Sequence, residues 1–175
     1  ALSGGVTTDD IFDMVKKLRE KTEIPLVFMT YLNPVFHYGY EAFFERCQDV
    51  GIDGIIIPDL PFEEKEEVDV VASRYGIDLI SMIAPTSKER IRKIAKGAKG
   101  FLYVVSSMGV TGERTNITTD IGGMLKEIRS VSSVPAAVGF GIHTPDQAAE
   151  ISKTADGVIV GSAVVKLIAK YGSCL

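Results

Sequence analysis

The sequence predicts an α/β protein with a parallel sheet, because short apolar segments and amphipathic helical segments alternate along the chain. Six apolar segments of three to six residues are each followed by a segment with helical periodicity. The connections between them are a few residues long, and parallel strands are joined by helical crossovers. With 175 residues, of which 46% are hydrophobic, the chain is predicted to form a single domain over 1–175.

The predicted elements follow one another without a linker or low-complexity segment. The chain opens with a helix at 7–21, which Thr7 should cap. The predicted strands are 24–29, which should be buried on both faces, and 55–57, 79–83, 101–105, 135–138 and 157–160. Four of the predicted helices after them span 39–50, 64–75, 120–131 and 163–170. Two more are predicted from their starts, a capping box at 86–89 and the pair Thr144-Pro145.

Charge and composition exclude several classes of function. The net charge is −4, so the sequence lacks the basic character of a nucleic-acid-binding protein. No apolar segment approaches the roughly 20 residues that a membrane span requires, and the sequence begins without a signal-peptide pattern. Cys47 and Cys174 lie far apart, and His37 and His143 have no metal-ligand spacing, so the histidines should be solvated or capping. We therefore expect a reduced, cytoplasmic protein without a bound metal or cofactor.

The distribution of glycine distinguishes between two architectures, the open doubly wound sheet and the (β/α)8 barrel. A dinucleotide-binding sheet carries a glycine-rich turn after its first strand, whereas 29–34 contains no glycine. Glycines instead follow the last three predicted strands, in the segments 109–112, 139–142 and 161–163. Barrels bind phosphate through loops after their last strands, where glycine lets backbone N–H groups approach the oxygens. The sequence thus predicts a phosphate-binding barrel.

An ordered set of motifs resembles the tryptophan synthase α subunit family. The motifs are YLNPVF at 31–36, PDLP at 58–61, YVVS at 103–106 with GVTG at 109–112, GFGI at 139–142, and GSAVVK at 161–166. The resemblance runs from Ala1 to about Lys170. It implies a (β/α)8 TIM barrel that cleaves indole-3-glycerol phosphate to indole and glyceraldehyde 3-phosphate. It also implies a partner, the pyridoxal-phosphate β subunit, in an αββα assembly, and no cofactor in the α subunit itself.

The resemblance assigns roles to particular residues. The phosphate-binding residues that it implies are Gly112, Gly141, Gly161 and Ser162. The implied substrate contacts are Met29, Tyr31, Met82, Tyr103, Phe140 and Thr111, the last in a mobile loop at 106–116. The implied contacts with the β subunit are Asn33, Asp59 and Pro61, with Asn33 and Pro61 in loops on the catalytic rim.

The resemblance also implies that parts of the family's barrel are not represented here. Six strands are predicted where the barrel has eight, so we expect an incomplete barrel that corresponds to the C-terminal three-quarters of the fold. The two catalytic carboxylates of the family, a glutamate and an aspartate, would precede Ala1. No catalytic residue is therefore assigned, and the 175-residue chain alone is expected to be inactive.

Two alternatives remain open at this stage. The first is another phosphate-binding barrel enzyme, such as a phosphosugar isomerase or a relative of indole-glycerol-phosphate synthase. A lysine at the end of a strand would favour the synthase, and none of the six predicted strands ends in one. The second alternative is a non-catalytic module that binds and tunes the β subunit.

Overall fold

A computed structural model describes residues 5–106, 120–139 and 141–172. Within these ranges, six strands and eight α-helices alternate along the chain. The strands are β1 (Val27–Met29), β2 (Gly54–Ile56), β3 (Asp78–Ile83), β4 (Leu102–Val105), β5 (Ala136–Gly139) and β6 (Gly157–Ile159). The helices are α1 (Thr8–Arg19), α2 (Leu32–Tyr38), α3 (Tyr40–Val50), α4 (Lys65–Arg74), α5 (Lys88–Lys96), α6 (Ile121–Arg129), α7 (Pro145–Ser152) and α8 (Ser162–Tyr171).

The strands form one parallel sheet whose order is the order of the sequence, β1-β2-β3-β4-β5-β6. The first half of β3 pairs with β2 and its second half pairs with β4. Consecutive parallel strands joined by helices are the arrangement of a (β/α)8 barrel, so the predicted α/β class with six parallel strands is confirmed. The backbone contacts divide the chain into two compact units, Ala1–Ile80 and Ser81–Leu175. The prediction of a single domain over 1–175 stays a prediction.

The first unit is built around aromatic side chains that cover one face of its strands. Phe12 is fully buried, and its ring centroid lies 5.4 to 5.7 Å from those of Phe28, Tyr38 and Phe43. Tilted and edge-to-face pairs of this kind add to the stabilisation that burial alone supplies. The other buried members of this core include Val15, Val35, Phe44, Cys47, Val50, Ile55, Val68 and Ala72.

The first strand differs from its predicted burial, and the first helix buries only some of its apolar side chains. In β1 the side chains of Val27 and Met29 are exposed, so the prediction of a strand buried on both faces is wrong. The reason is that β1 is the first strand in the described order and pairs with β2 alone. In α1 the buried side chains are Phe12 and Val15, whereas Ile11 and Met14, also apolar and at helical spacing, are exposed.

Helix α2 was not predicted from the sequence. Pro34 occupies the first turn of α2, where backbone N–H groups have no partner within the helix in any case. Gly39, with a φ of +90°, ends α2 and begins α3. That left-handed backbone is accessible to glycine at little cost, and it lets two helices follow each other without a linker.

A capping box begins α1, as the sequence predicted for Thr7. The Asp10 carboxylate accepts hydrogen bonds from the Thr7 backbone N–H at 2.8 Å and from Thr7 Oγ1 at 2.7 Å. These bonds hold the pKa of Asp10 below its ordinary value of 3.8. In return, Thr7 Oγ1 accepts from the Asp10 N–H at 3.2 Å.

The capping box makes the stability of the protein depend on acid pH. Because the pKa of Asp10 is lower in the folded state, its stabilising effect is present above pH 3.8 and is lost as the pH falls through the folded pKa. We expect Asp10→Asn to reduce the free energy of unfolding at pH 7, and we expect the difference from the unmodified chain to shrink below pH 3.8. Urea denaturation at pH 7 and pH 3 measures both values, and a difference that is equal at the two pH values would contradict the prediction.

The second unit packs α5 and α6 on its strands through buried aliphatic side chains. The buried members are Ile91, Ile94, Ala95, Met124, Leu125 and Ile128 on the helices, with Ile83, Leu102, Val104, Ala136 and Val138 on the strands. The nearly buried Glu127 joins the two helices, because it accepts a hydrogen bond from Arg92 Nε at 2.7 Å and pairs with Lys88 Nζ at 3.3 Å. The prediction of a capping box at 86–89 is wrong, since Ser87 and not Thr86 caps α5 and accepts from the Arg90 N–H at 3.3 Å.

Candidate functional site

The carboxyl ends of β5 and β6 bring two of the predicted phosphate-binding glycines to one edge of the sheet. Gly139 pairs with Ile159 at the last register position, and Gly141 and Gly161 each follow two residues later. The φ of Gly141 is +79°, a left-handed conformation that glycine adopts readily. The Gly141 carbonyl accepts a hydrogen bond from His143 Nδ1 at 2.8 Å, and the expectation of a solvated or capping His143 stays a prediction.

Helix α8 begins at Ser162, three residues after β6 ends, so its N-terminus lies at the same edge. Gly161 is its N-cap, and the Gly161 carbonyl accepts from Val164 N–H at 3.0 Å and Val165 N–H at 3.1 Å. Within the described residues, no side chain caps this helix. A Cβ built on Gly161 would meet no described atom within 4 Å. The start of α8 therefore offers open space, backbone donors and the positive end of the helix dipole, which together suit an anion.

The neighbouring helix α7 begins in a different way. Thr144 accepts a hydrogen bond from the Gln147 N–H at 3.2 Å, and the Gln147 side chain accepts in turn from the Thr144 N–H. The same Gln147 oxygen also accepts from the His143 N–H at 3.0 Å. The protein itself thus satisfies donors at the start of α7, so the start of α8 with Ser162 is the better anion site of the two.

Tyr103 and Met82 share a row of the second unit's sheet, which places two predicted substrate contacts side by side. Met82 pairs with Tyr103, and Tyr103 pairs with Ala137. Tyr103 is only 6% exposed, and burial raises its pKa. Its hydroxyl approaches Gly139, where a Cβ would lie 2.5 Å from Oη. Gly139 belongs to the motif at 139–142 but had no predicted role, because its contact with Tyr103 depends on the register of two strands.

Gly139→Ala is therefore expected to displace the Tyr103 ring and to destabilise the protein by about 1–3 kcal/mol. Gly157→Ala is a matched control, because its new Cβ would lie 3.3 Å from the Ala137 Cβ and needs only a small adjustment. Urea denaturation of both variants measures the two losses. Adding Tyr103→Leu to Gly139→Ala should recover part of the lost stability, and equal losses in the two alanine variants would contradict this account.

The predicted site residues of the first unit lie near the end of β1 and the start of α2. Met29 ends β1 and is 57% exposed, and Tyr31 is the N-cap of α2 and is 66% exposed. Asn33, which the sequence placed in a loop, lies in the first turn of α2, so that placement is wrong. The Asp59 carboxylate accepts a hydrogen bond from the Leu32 N–H at 2.9 Å and thereby ties the segment after β2 to the segment after β1.

The remaining predictions about the site are untested. Pro61 precedes a short 3₁₀ turn at Phe62–Glu64, outside a regular helix or strand. Thr111, Gly112 and Phe140 lie outside the described residues, as does most of the loop predicted to be mobile. The described residues contain no cluster of His, Cys, Asp and Glu that could hold a metal ion. No described helix is long and apolar enough to cross a membrane.

The fold defines this chain as an incomplete (β/α)8 barrel, and comparison with known proteins specifies the family. The family model described as tryptophan synthase alpha chain matches residues 1–173. The chain belongs to the tryptophan synthase alpha chain family.

Individual relatives agree with this assignment. The tryptophan synthase alpha chain of Lacticaseibacillus casei is 52% identical over 170 residues, which are 97% of this chain and 64% of the relative. That of Alkaliphilus metalliredigens is 47% identical over 168 residues, 96% of this chain and 63% of the relative. This chain thus spans slightly less than two thirds of the length of these two relatives.

Solved structures show the same likeness in three dimensions. The tryptophan synthase subunit alpha of Campylobacter jejuni has a TM-score of 0.85 and 40% identity, and the match covers 94% of this chain and 66% of that one. A chain from the tryptophan synthase a2b2 complex of Pyrococcus furiosus has a TM-score of 0.87 and 34% identity, with coverage of 98% and 70%. The expectation of an incomplete barrel of this family is confirmed.

Proposed function

We propose that this chain provides the phosphate-binding part of a tryptophan synthase alpha chain, a carbon–carbon lyase of tryptophan biosynthesis. The whole protein would cleave indole-3-glycerol phosphate to indole and glyceraldehyde 3-phosphate. The observation that carries this proposal is the start of α8, where Gly161 and Ser162 meet open space with no side-chain cap in the described structure. Gly141, at the same edge of the sheet, completes the described part of the phosphate site.

The reaction requires three proton-handling groups in addition to a phosphate site. A base removes the proton of the glycerol hydroxyl, and the electrons of the breaking C–C bond return to the indole ring. An acid protonates indole C3 in the same process, and an acceptor holds the indole N–H. Carboxylates suit these roles, and positioned proton transfer supplies about 10²–10⁴-fold in rate. We assign no carboxylate of this chain to them, so we expect the 175-residue chain to bind the phosphate group without cleaving the substrate.

The apolar part of the substrate would meet the face of the sheet that carries Tyr103. In this proposal Tyr103 and Met82, paired neighbours in the sheet, contact the indole ring. Met29 and Tyr31 are proposed as substrate contacts on the family resemblance alone. Phe140, Thr111 and Gly112 complete the set on the family resemblance alone. The burial of Tyr103, which keeps its hydroxyl protonated, supports a role in packing and hydrogen bonding rather than as a base.

The proposed partner is the β subunit, in an αββα assembly. Asn33, Asp59 and Pro61 would contact it, and the bond from Leu32 N–H to Asp59 would hold the first two of these together. The a2b2 complex of Pyrococcus furiosus, whose chain is 34% identical to this one, supports the assembly. We also propose that the protein works in the cytoplasm, in agreement with the unpaired, buried thiol of Cys47.

Isothermal titration of the 175-residue chain with glycerol 3-phosphate tests the binding part of the proposal. We expect saturable binding of one equivalent, with weaker binding of glycerol. The full-length protein that contains this sequence should release indole from indole-3-glycerol phosphate, and the 175-residue chain should not. Absence of binding to a folded chain would refute the phosphate site, and a full-length protein without lyase activity would refute the reaction.

A second candidate is a non-catalytic module that binds and tunes the β subunit, since no residue of this chain is assigned to proton transfer. Adding the 175-residue chain to a β subunit distinguishes the two. An increase in β-subunit turnover would support this role, and a β subunit that neither binds nor responds would exclude it.

A further inference from the structure

A cluster of four residues anchors β1 to β2 at the amino-terminal ends of the strands. The Asp53 carboxylate accepts from the Leu26 N–H at 2.7 Å, and the Asp53 N–H donates to the Leu26 carbonyl at 2.9 Å. Arg19, the last residue of α1, donates to that carboxylate at 2.5 Å. Its Nε also donates to the Gly51 carbonyl at 2.7 Å, two residues before the aspartate. We call these residues the first clamp.

The same contacts recur between β5 and β6. The Asp156 carboxylate accepts from the Ala136 N–H at 2.9 Å, and the Asp156 N–H donates to the Ala136 carbonyl at 3.0 Å. Arg129, the last residue of α6, donates to that carboxylate at 3.2 Å. It also donates to the Thr154 carbonyl at 2.8 Å, again two residues before the aspartate. These residues form the second clamp.

The two clamps are related in sequence as well as in geometry. Arg129 lies 110 residues after Arg19, and Pro135 lies 110 residues after Pro25. Between them, the Ile24 N–H donates to Thr22 Oγ1 at 3.3 Å, and the Val134 N–H donates to Ser132 Oγ at 3.2 Å. In both units a glycine follows the aspartate and begins the next strand. The clamp is thus a repeated structural unit, one copy in each half of the chain.

The first and second clamps differ in the chain segments that follow the strands they hold. The segment after β6 leads within three residues to Gly161 and Ser162, the core of the proposed phosphate site. Strand β6 has only three residues, all half-buried, so side-chain packing does little to fix its position. The hydrogen bonds of the second clamp, at the amino-terminal end of this short strand, therefore have a large share in holding it against β5.

We propose that Asp156 is a positioning residue for the phosphate site, acting through the register of β6 on β5. It touches no substrate atom, and its role rests on the proposed phosphate binding at Gly161 and Ser162. Asp53 makes the equivalent bonds in the first unit, away from these residues, and is the matched control that the chain itself supplies. Loss of either aspartate should cost stability, but only loss of Asp156 should cost phosphate affinity.

The experiment is isothermal titration of glycerol 3-phosphate into the 175-residue chain and its variants, under conditions where circular dichroism shows each to be folded. We expect Asp156→Ala to raise Kd about three- to tenfold, the effect of misaligning one hydrogen bond to the ligand. Asp53→Ala should leave Kd within about twofold of the value for the unmodified chain. That change is smaller than the effect of losing one hydrogen bond to the ligand. Asp156→Asn keeps an acceptor for the Ala136 N–H, so it should recover most of the affinity.

The outcomes separate this inference from the proposed function. If the unmodified chain binds glycerol 3-phosphate and Asp156→Ala binds it equally well, or both alanine variants weaken it equally, the positioning role is overturned and the phosphate site stands. If the folded, unmodified chain does not bind, the phosphate site and the positioning role both fall. If Asp156→Ala does not fold, the Kd for glycerol 3-phosphate is compared between Arg129→Gln and Arg19→Gln instead. These variants remove the cation of the second and the first clamp, respectively, and only Arg129→Gln should raise Kd.

Discussion

Gly161→Val is expected to abolish the binding of glycerol 3-phosphate. The valine side chain would occupy the space at the start of α8 that the phosphate oxygens need, and it would separate them from the backbone donors. The φ of Gly161 is −106°, which valine can adopt, and no described atom lies within 4 Å of the new Cβ. The variant should therefore fold, and the expected loss of affinity is at least about 100-fold, or about 2.7 kcal/mol.

Isothermal titration measures this loss, and Ser162→Ala provides the graded comparison. Removing one hydroxyl that donates to a charged acceptor should cost roughly 1.5–3 kcal/mol, so Ser162→Ala should still bind measurably. Gly141→Val should also abolish binding, but its φ of +79° adds backbone strain that complicates the result. Full affinity in a folded Gly161→Val variant would remove the start of α8 from the phosphate site.

Phe12→Ala is expected to produce the largest loss of stability, about 3–5 kcal/mol. The ring is fully buried and contacts three other aromatic rings, so truncation leaves a cavity at the centre of the first unit's core. Phe36→Ala removes the same side chain from a position that is 63% exposed, and it should change the free energy of unfolding by about 0.5 kcal/mol or less. Chemical denaturation of both variants checks the prediction, which fails if the two losses are similar.

Local chemistry explains which elements the sequence predicted well. The caps at Thr7 and Thr144 use side chains that bond within their own first turn, so a few neighbouring residues are sufficient to identify them. The parallel sheet followed from the short helical connections, and the distribution of glycine favoured the barrel over the doubly wound sheet. The distribution of glycine indicated three candidate segments for phosphate binding. The family resemblance then named individual glycines within them as the predicted phosphate-binding residues.

The features that escaped prediction depend on residues far apart in the sequence. The exposure of β1 depends on its terminal place in the described sheet, which no property of its apolar segment reveals. The contact between Tyr103 and Gly139 depends on strand register, and the bonds of Glu127 to Arg92 depend on the packing of two helices. Asn33 was placed in a loop, whereas it lies in α2, a helix of only seven residues that was not predicted.

The rate at which a thiol reagent labels Cys47 would measure how often the first unit opens locally. Its thiol is fully buried, and burial raises its pKa to about 12, so a thiol reagent at neutral pH finds neither access nor thiolate while α3 stays packed. With Cys174 replaced by serine, Cys47 would be the one thiol left, and its labelling would require α3 to separate transiently from the core. The labelling rate, compared with that of the unfolded chain, would give the free energy of local opening without denaturant.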